Sequence, residues 1–150
     1  MAHSYNAHYV HLVFSTKGRR ASLTSEVRSE LFPVLIGISR NVGTTPVRVG
    51  GWVDHAHLLL ALSANSQVAS IVRDLKSNSS RWIHERWRAK KHFAWQDGYA
   101  AFSVSPGRLG SVKRYIETQE AHHRHLSFRD EYLAFLDAAG IAYDERFVLG

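Results

Sequence analysis

Two residue pairs in this chain carry types and spacings suited to chemistry: His55 and His57 in "WVDHAHLLLA", and Tyr115 and Gln119 in "VKRYIETQEAHH". On a strand, residues two apart project from one face and lie about 6.5 Å apart along the backbone. His55 and His57 are therefore expected to converge on one ion, with nitrogens about 2.1 Å from it, while Ala56 points into the opposite layer. A metal that does chemistry needs a third protein ligand and open positions, and that ligand should come from another element. On a helix Tyr115 and Gln119 share a face, with Cβ atoms about 5–6 Å apart, which sets a hydroxyl nucleophile beside a candidate amide ligand. A free tyrosine ionises near pH ~10, so a nucleophilic Tyr115 needs positive charge nearby; Lys113, Arg114 and the ion are the candidates. Plain readings stand beside these. HxH pairs arise readily in a chain with ten histidines, and Tyr115 can simply pack its ring beside Val112 and Ile116.

The elements that must position these groups follow from hydrophobic periodicity. "AHYVHLVFST" (7–16) reads as a strand that breaks into the basic turn "KGRR". From the cap Thr24, the positions Val27, Leu31, Val34, Leu35 and Ile38 recur at helical spacing, with Pro33 expected to kink or loosen a turn. "PVRVGGWVDHAHLLLAL" (46–62) gives two strands around a turn near Gly50–Asp54, and the leucines after the histidines commit the second strand to burial, with the histidines at its rim. A basic helix over 65–93, capped by Ser66, follows, and then a strand at 99–105. Ser105 and Pro106 open the helix that bears Tyr115, and a last helix is capped by Ser127 and stopped near Gly140. His122, His123 and His125 read as a solvated helix end, with His122 near enough to Gln119 to approach the site. The order predicts an α+β, ferredoxin-like (split βαβ, RRM-like) fold over 1–150: an antiparallel sheet with helices on one face and the other face free.

Composition bounds the function. The chain has 150 residues, enough for one core without disulfides, and no cysteine, which excludes thiolate chemistry. No leader-like segment or long apolar run appears, so a cytoplasmic protein without membrane contact is expected. A formal charge of +6 with 11% aromatic residues favours a polyanionic partner. The basic clusters are Lys17, Arg19 and Arg20, then Arg73, Lys76 and Arg81 with further cations to Lys91, and Lys113 and Arg114 beside the tyrosine. All are candidate DNA contacts, although solvated charge explains such clusters equally well.

These residues, in this order, resemble the single-tyrosine HUH transposases, the IS200-like type and its relatives associated with repetitive palindromes. "HLVFSTKGR", "DHAHLLL", "LKSNSSRWI", "WQDGYAAFSVS" and "VKRYIETQEAHHR" carry the resemblance through nearly the whole chain. Ala56 departs from the family's bulky residue between the histidines, which affects packing, not ligation. The resemblance implies that Tyr115 attacks single-stranded DNA with hairpin ends to form a 5′-phosphotyrosine, on a Mg²⁺ or Mn²⁺ ion held by His55, His57 and Gln119. It also implies a homodimer that places the tyrosine helix in trans, or a monomer, as both occur. No phosphate-loop motif is present, in keeping with a reaction that stores bond energy in a covalent intermediate. The competing readings are a non-catalytic single-stranded nucleic-acid-binding module and a metal-dependent phosphoesterase.

Overall fold

The computed structural model describes residues 3–150. Four strands form one sheet: β1 (His8–Ser15), β2 (Thr45–Trp52), β3 (His55–Leu62) and β4 (Ala100–Val104), in the order β2-β3-β1-β4 with every pair antiparallel. This is the expected split βαβ arrangement. Helices α1 (Ser25–Asn41) and α2 (Val68–Arg86) make the two crossovers and cover one face. Alternation along the central strands sorts their residues: Val10, Leu12 and Phe14 of β1 and Ala56, Leu58 and Leu60 of β3 enter the main core with Leu31, Leu35, Ile71 and Leu75 from the helices. Ala56 does point away from the histidines.

The other face is not free, contrary to expectation. Helices α3 (Leu109–Glu117), α4 (Gln119–His122) and α5 (Phe128–Ala138) occupy it, and Phe128, Tyr132, Leu133 and Leu136 of α5 pack on Val13 and Ala100 in a second core. His55 and His57 lie on this face and are wholly buried, at 0% exposure, so the expected position at a rim is corrected. The apolar stripe of α5 is what closes over them.

Local signals account for most boundaries. Thr24 accepts a hydrogen bond from Val27 N (3.3 Å) and Ser127 from Asp130 N (3.1 Å), as capping residues do. Gly140, at φ +69°, follows the end of α5 in the left-handed conformation glycine tolerates. α1 runs unbroken through Pro33. α2 is shorter than expected at both ends: Ser66 closes a turn onto Ser63 N (2.9 Å) instead of capping, and Trp87 ends the helix. The tyrosine helix also divides, because Thr118 leaves helical geometry between α3 and α4 (φ −108°, ψ 26°). A two-residue turn, Val53–Asp54, joins β2 to β3. α3 can lie directly on this hairpin because Gly50 has no side chain: a Cβ there would meet Ile116 Cγ2 at 2.8 Å and Ile116 O at 2.9 Å.

Candidate active site

β3 presents His55 and His57 to one space beneath α3–α5, and each imidazole is held from behind. His55 Nδ1 lies 2.8 Å from Asp54 Oδ1, and His57 Nδ1 lies 2.7 Å from His11 Nε2 of β1. Both Nε2 atoms are thereby turned inward. There His55 Nε2 is 2.8 Å from Gln119 Oε1, and His57 Nε2 is 3.1 Å from Glu131 Oε1 of α5, which is also 3.5 Å from His55 Nε2. The Tyr115 hydroxyl donates to the other oxygen of the same carboxylate, Oε2. His123 Nε2 stands 3.0 Å from Gln119 Oε1 and 3.3 Å from Glu131 Oε2.

The donor set fits a divalent cation. His55, His57 and Glu131 offer ligand atoms all within 4.8 Å of one another. Ligands about 2.1 Å from a shared ion stand about 3.0 Å apart in octahedral geometry and about 3.4 Å apart in tetrahedral geometry, and the observed Glu131–imidazole separations, 3.1 and 3.5 Å, lie close to these spacings. With the Nδ1 proton of His55 given to Asp54, its Nε2 and the amide oxygen of Gln119 face each other as two acceptors, a pairing that a shared cation satisfies. Mixed imidazole and carboxylate ligands suit a transition ion at least as well as magnesium.

The electrostatics differ from those expected for the tyrosine. Burial raises the Tyr115 phenol, and the adjacent Glu131 carboxylate raises it further, so the hydroxyl is held protonated. The charged group touching it is acidic, whereas the expected activators, Lys113 and Arg114, are half-buried and exposed on α3. Burial opposes charge on Glu131, yet hydrogen bonds from His123 and His57 outweigh it and keep the carboxyl below the usual range. Burial lowers His57 despite Glu131 and pushes His11 down to about 3, so both rings are neutral near pH 7. Burial also opposes charge on His123, but its hydrogen bond to Glu131 raises it overall.

The structure thus brings together His55, His57, Tyr115 and Gln119, although a helix break separates the last two and Gln119 Nε2 donates back to Tyr115 O at 3.2 Å. Of the histidines after Gln119, His125 is exposed as expected and the His122 ring approaches the site, 4.5 Å from that of Tyr115, but His123 is no part of a solvated end: its side chain is 3% exposed and enters the site. Sequence reasoning missed Glu131, His123, His11 and Asp54. Glu131 had a signal, being an acid on the apolar stripe Phe128, Tyr132, Phe135; Asp54 directly precedes the histidine pair.

The basic residues divide. Lys17 and Arg20 line a cleft of about 690 Å³ with Lys90 and His92, joining two clusters far apart in sequence, and Arg19 is exposed on the same turn. The cleft adjoins the histidine end of the sheet, since Thr16 on its wall donates from its backbone N to Asp54 O at 2.8 Å. Arg73 is exposed beside Asp74. Arg81 is exposed elsewhere on α2 with Asn78 Oδ1 2.6 Å away. Lys76 departs from its expected role: its ammonium donates to the carbonyls of Gln96 (2.7 Å) and Gly98 (2.5 Å), and burial lowers it to about 8.

The split βαβ sheet, with a half-buried tyrosine gathered beside two buried imidazoles and a buried carboxylate, agrees with the HUH type of protein that the resemblance implies. Residues 4–119 match the model of the family described as "Transposase IS200 like", and the chain belongs to that family. It is accordingly a transposase, an enzyme that processes DNA. It is 28% identical over 114 residues to the ISDra2 transposase TnpA of Deinococcus radiodurans, covering 73% of this chain and 81% of that one. Among solved structures, a transposase of D. radiodurans R1 superposes with a TM-score of 0.65 at 27% identity, covering 79% of this chain and 96% of the other. The REP-associated tyrosine transposase bound to a REP hairpin superposes at 0.62 with 15% identity, covering 82% and 74%, which shows a shared fold. α5, and with it Glu131, lies outside the family match.

Proposed function

We propose that this transposase cleaves and rejoins single-stranded DNA with hairpin ends through a 5′-phosphotyrosine formed on Tyr115. The observation that carries the reading is the convergence of the Tyr115 hydroxyl, His55, His57 and Gln119, with Glu131, within one chain. The phenol oxygen attacks the scissile phosphorus in line, the bond to the 3′ oxygen breaks, and a 3′-hydroxyl is released; the reverse attack by a new 3′-hydroxyl rejoins the strand. The phenolic proton leaves toward Glu131 Oε2, the acceptor it already faces, and the departing 3′ oxygen takes up a proton from solvent. His55 and His57, with Glu131 and Gln119, would hold Mg²⁺ or Mn²⁺, which when bound supplies charge stabilisation at the phosphate. Lys17, Arg19 and Arg20 guide the strand along the cleft that adjoins the histidines, with Arg73, Arg81, Lys113 and Arg114 as outlying phosphate contacts. Because the tyrosine and histidines belong to one chain, a monomer suffices for cleavage.

The acidic setting of Tyr115 favours one rival, a phosphoesterase in which water attacks and the tyrosine is structural. A labelled hairpin-bearing single strand separates the two. With Mn²⁺ the protein should become joined to the label in a denaturant-resistant adduct; release of free products without any adduct would make it a hydrolase.

A further inference from the structure

We infer that His11, outside the expected set, is a positioning residue of the metal site, acting through His57 as a hydrogen-bond partner that both donates and accepts. The inference rests on the reading of His55, His57 and Glu131 as ligands.

His11 and His57 come from neighbouring strands. Val13 is the direct partner of His57 and His11 that of Leu59, so the two rings meet on the diagonal of one sheet face. Their centroids are 5.0 Å apart with planes inclined by 28°, and the nitrogens are 2.7 Å apart. Two phenylalanines flank His11: the ring of Phe135 stands edge-on at 5.3 Å and that of Phe102 at 6.2 Å. A buried imidazole set between phenylalanines and aimed at a second imidazole is not explained by packing, which a phenylalanine or leucine would serve without the cost of burying polar nitrogens.

A carboxylate only accepts, so toward Glu131 Oε1 the Nε2 of neutral His57 must be the donor, which leaves its Nδ1 bare. Nδ1 then accepts, and His11 Nε2 carries the hydrogen. For His57 Nε2 to ligate a cation it must be bare, so the hydrogen sits on Nδ1 and His11 Nε2 becomes the acceptor, with its own hydrogen on Nδ1. Each ring carries one hydrogen in both arrangements, so neither changes charge. An imidazole behind His57 serves both states; a carboxylate there would serve only the second. His55 has the contrasting partner, Asp54, which accepts in either state and fixes its ligand nitrogen permanently.

The test uses Mn²⁺ affinity by calorimetry and imidazole tautomers by nitrogen-15 NMR. His11→Phe keeps an aromatic ring of similar bulk and should lose roughly ten- to a hundredfold in affinity, the usual consequence of removing an outer-shell partner. His11→Gln, which can donate or accept, should recover most of that loss. Parent-like affinity in folded His11→Phe overturns the inference. Should His11→Phe not fold, the parent decides: His57 Nδ1 should be bare without metal and carry hydrogen after addition of Zn²⁺, with His11 Nε2 changing in the opposite sense. The same tautomers before and after also overturn it. A parent that binds no ion at all fails the metal reading itself, which is a different result from a parent that binds and a variant that binds equally well.

Discussion

Tyr115 and Glu131 are joined through a hydrogen bond from the phenol to a carboxylate whose other oxygen stands 3.1 Å from His57. The proposed nucleophile and the proposed metal site therefore share one residue, and that residue comes from α5, beyond the stretch that matches the family. Glu131 is where the site departs furthest from what the resemblance implied.

Removing the phenol oxygen separates chemistry from binding. Tyr115→Phe keeps the ring against His57 and Phe135, so its affinity for a hairpin-bearing strand should match the parent's, with the same salt dependence. Cleavage and the covalent adduct should both vanish. Cleavage at the parent rate, seen on a sequencing gel, would leave the tyrosine no catalytic role.

Three ligand variants rank the donors. Glu131→Gln keeps the shape of the side chain but removes its charge, and Mn²⁺ affinity should fall more than tenfold; His55→Ala should do the same. Gln119→Ala should cost less, because water replaces a neutral amide oxygen. Calorimetry that finds Gln119→Ala the weakest binder would restore the glutamine as the principal third ligand.

Because the Tyr115 helix packs on the histidines of its own chain, mixing two inactive proteins should not restore activity. Equal amounts of Tyr115→Phe and His57→Ala, assayed on a labelled hairpin strand, are expected to remain inactive together. Recovered cleavage would show that α3–α5 exchange between copies.

How much of this was legible in the sequence varied with the kind of signal. Strand alternation and caps located the sheet, Thr24 and Ser127, because local periodicity and local hydrogen bonds determine them. The pairing of His55 with His57 followed from a two-residue repeat. The depth of the site did not, because burial of the histidines depends on where α5 docks, and no local pattern states the docking partner of an amphipathic helix. Glu131 and His11 belong to the same class: they approach His57 from 74 and 46 residues away, and only the assembled sheet and its covering layer bring them there.

Metal-free stability should fall in acid. His11 is held at about 3 by burial, whereas in the unfolded chain it titrates near ~6.5. The unfolded state therefore takes up a proton that the folded state refuses, and stability is lost as pH falls from about 6.5 toward 3. Glu131, also lowered, adds its loss below about pH 4.3, the unfolded glutamate value. His123, raised by Glu131, works in the opposite sense and offsets part of the slope. Urea midpoints in chelator should decline steadily from pH 7 to 4, and more gently in His11→Gln; a flat profile would contradict the burial of neutral His11.

The basic residues should divide by role. Lys17→Ala and Arg20→Ala should weaken strand binding and each reduce the slope of log affinity against log salt by about 0.7, as expected for one lost single-strand phosphate contact. Lys76→Ala should leave that slope nearly unchanged and lower stability by about 1–3 kcal/mol, since its ammonium ties down the Gln96 and Gly98 carbonyls.

Gly50 gives the active site a throttle that contains no reactive group. Ile116, the neighbour of Tyr115 in the chain, sits where a Gly50 Cβ would be, against backbone as well as side chain. A methyl group there would act as a spacer, lifting the tyrosine helix off the hairpin while His55, His57 and Glu131 keep every atom. In-line attack tolerates little displacement, and a shift of about 1 Å can cost about a hundredfold in rate. On the proposed mechanism, Gly50→Ala, directly across the sheet from His57, is thus expected to slow cleavage while metal and DNA binding persist.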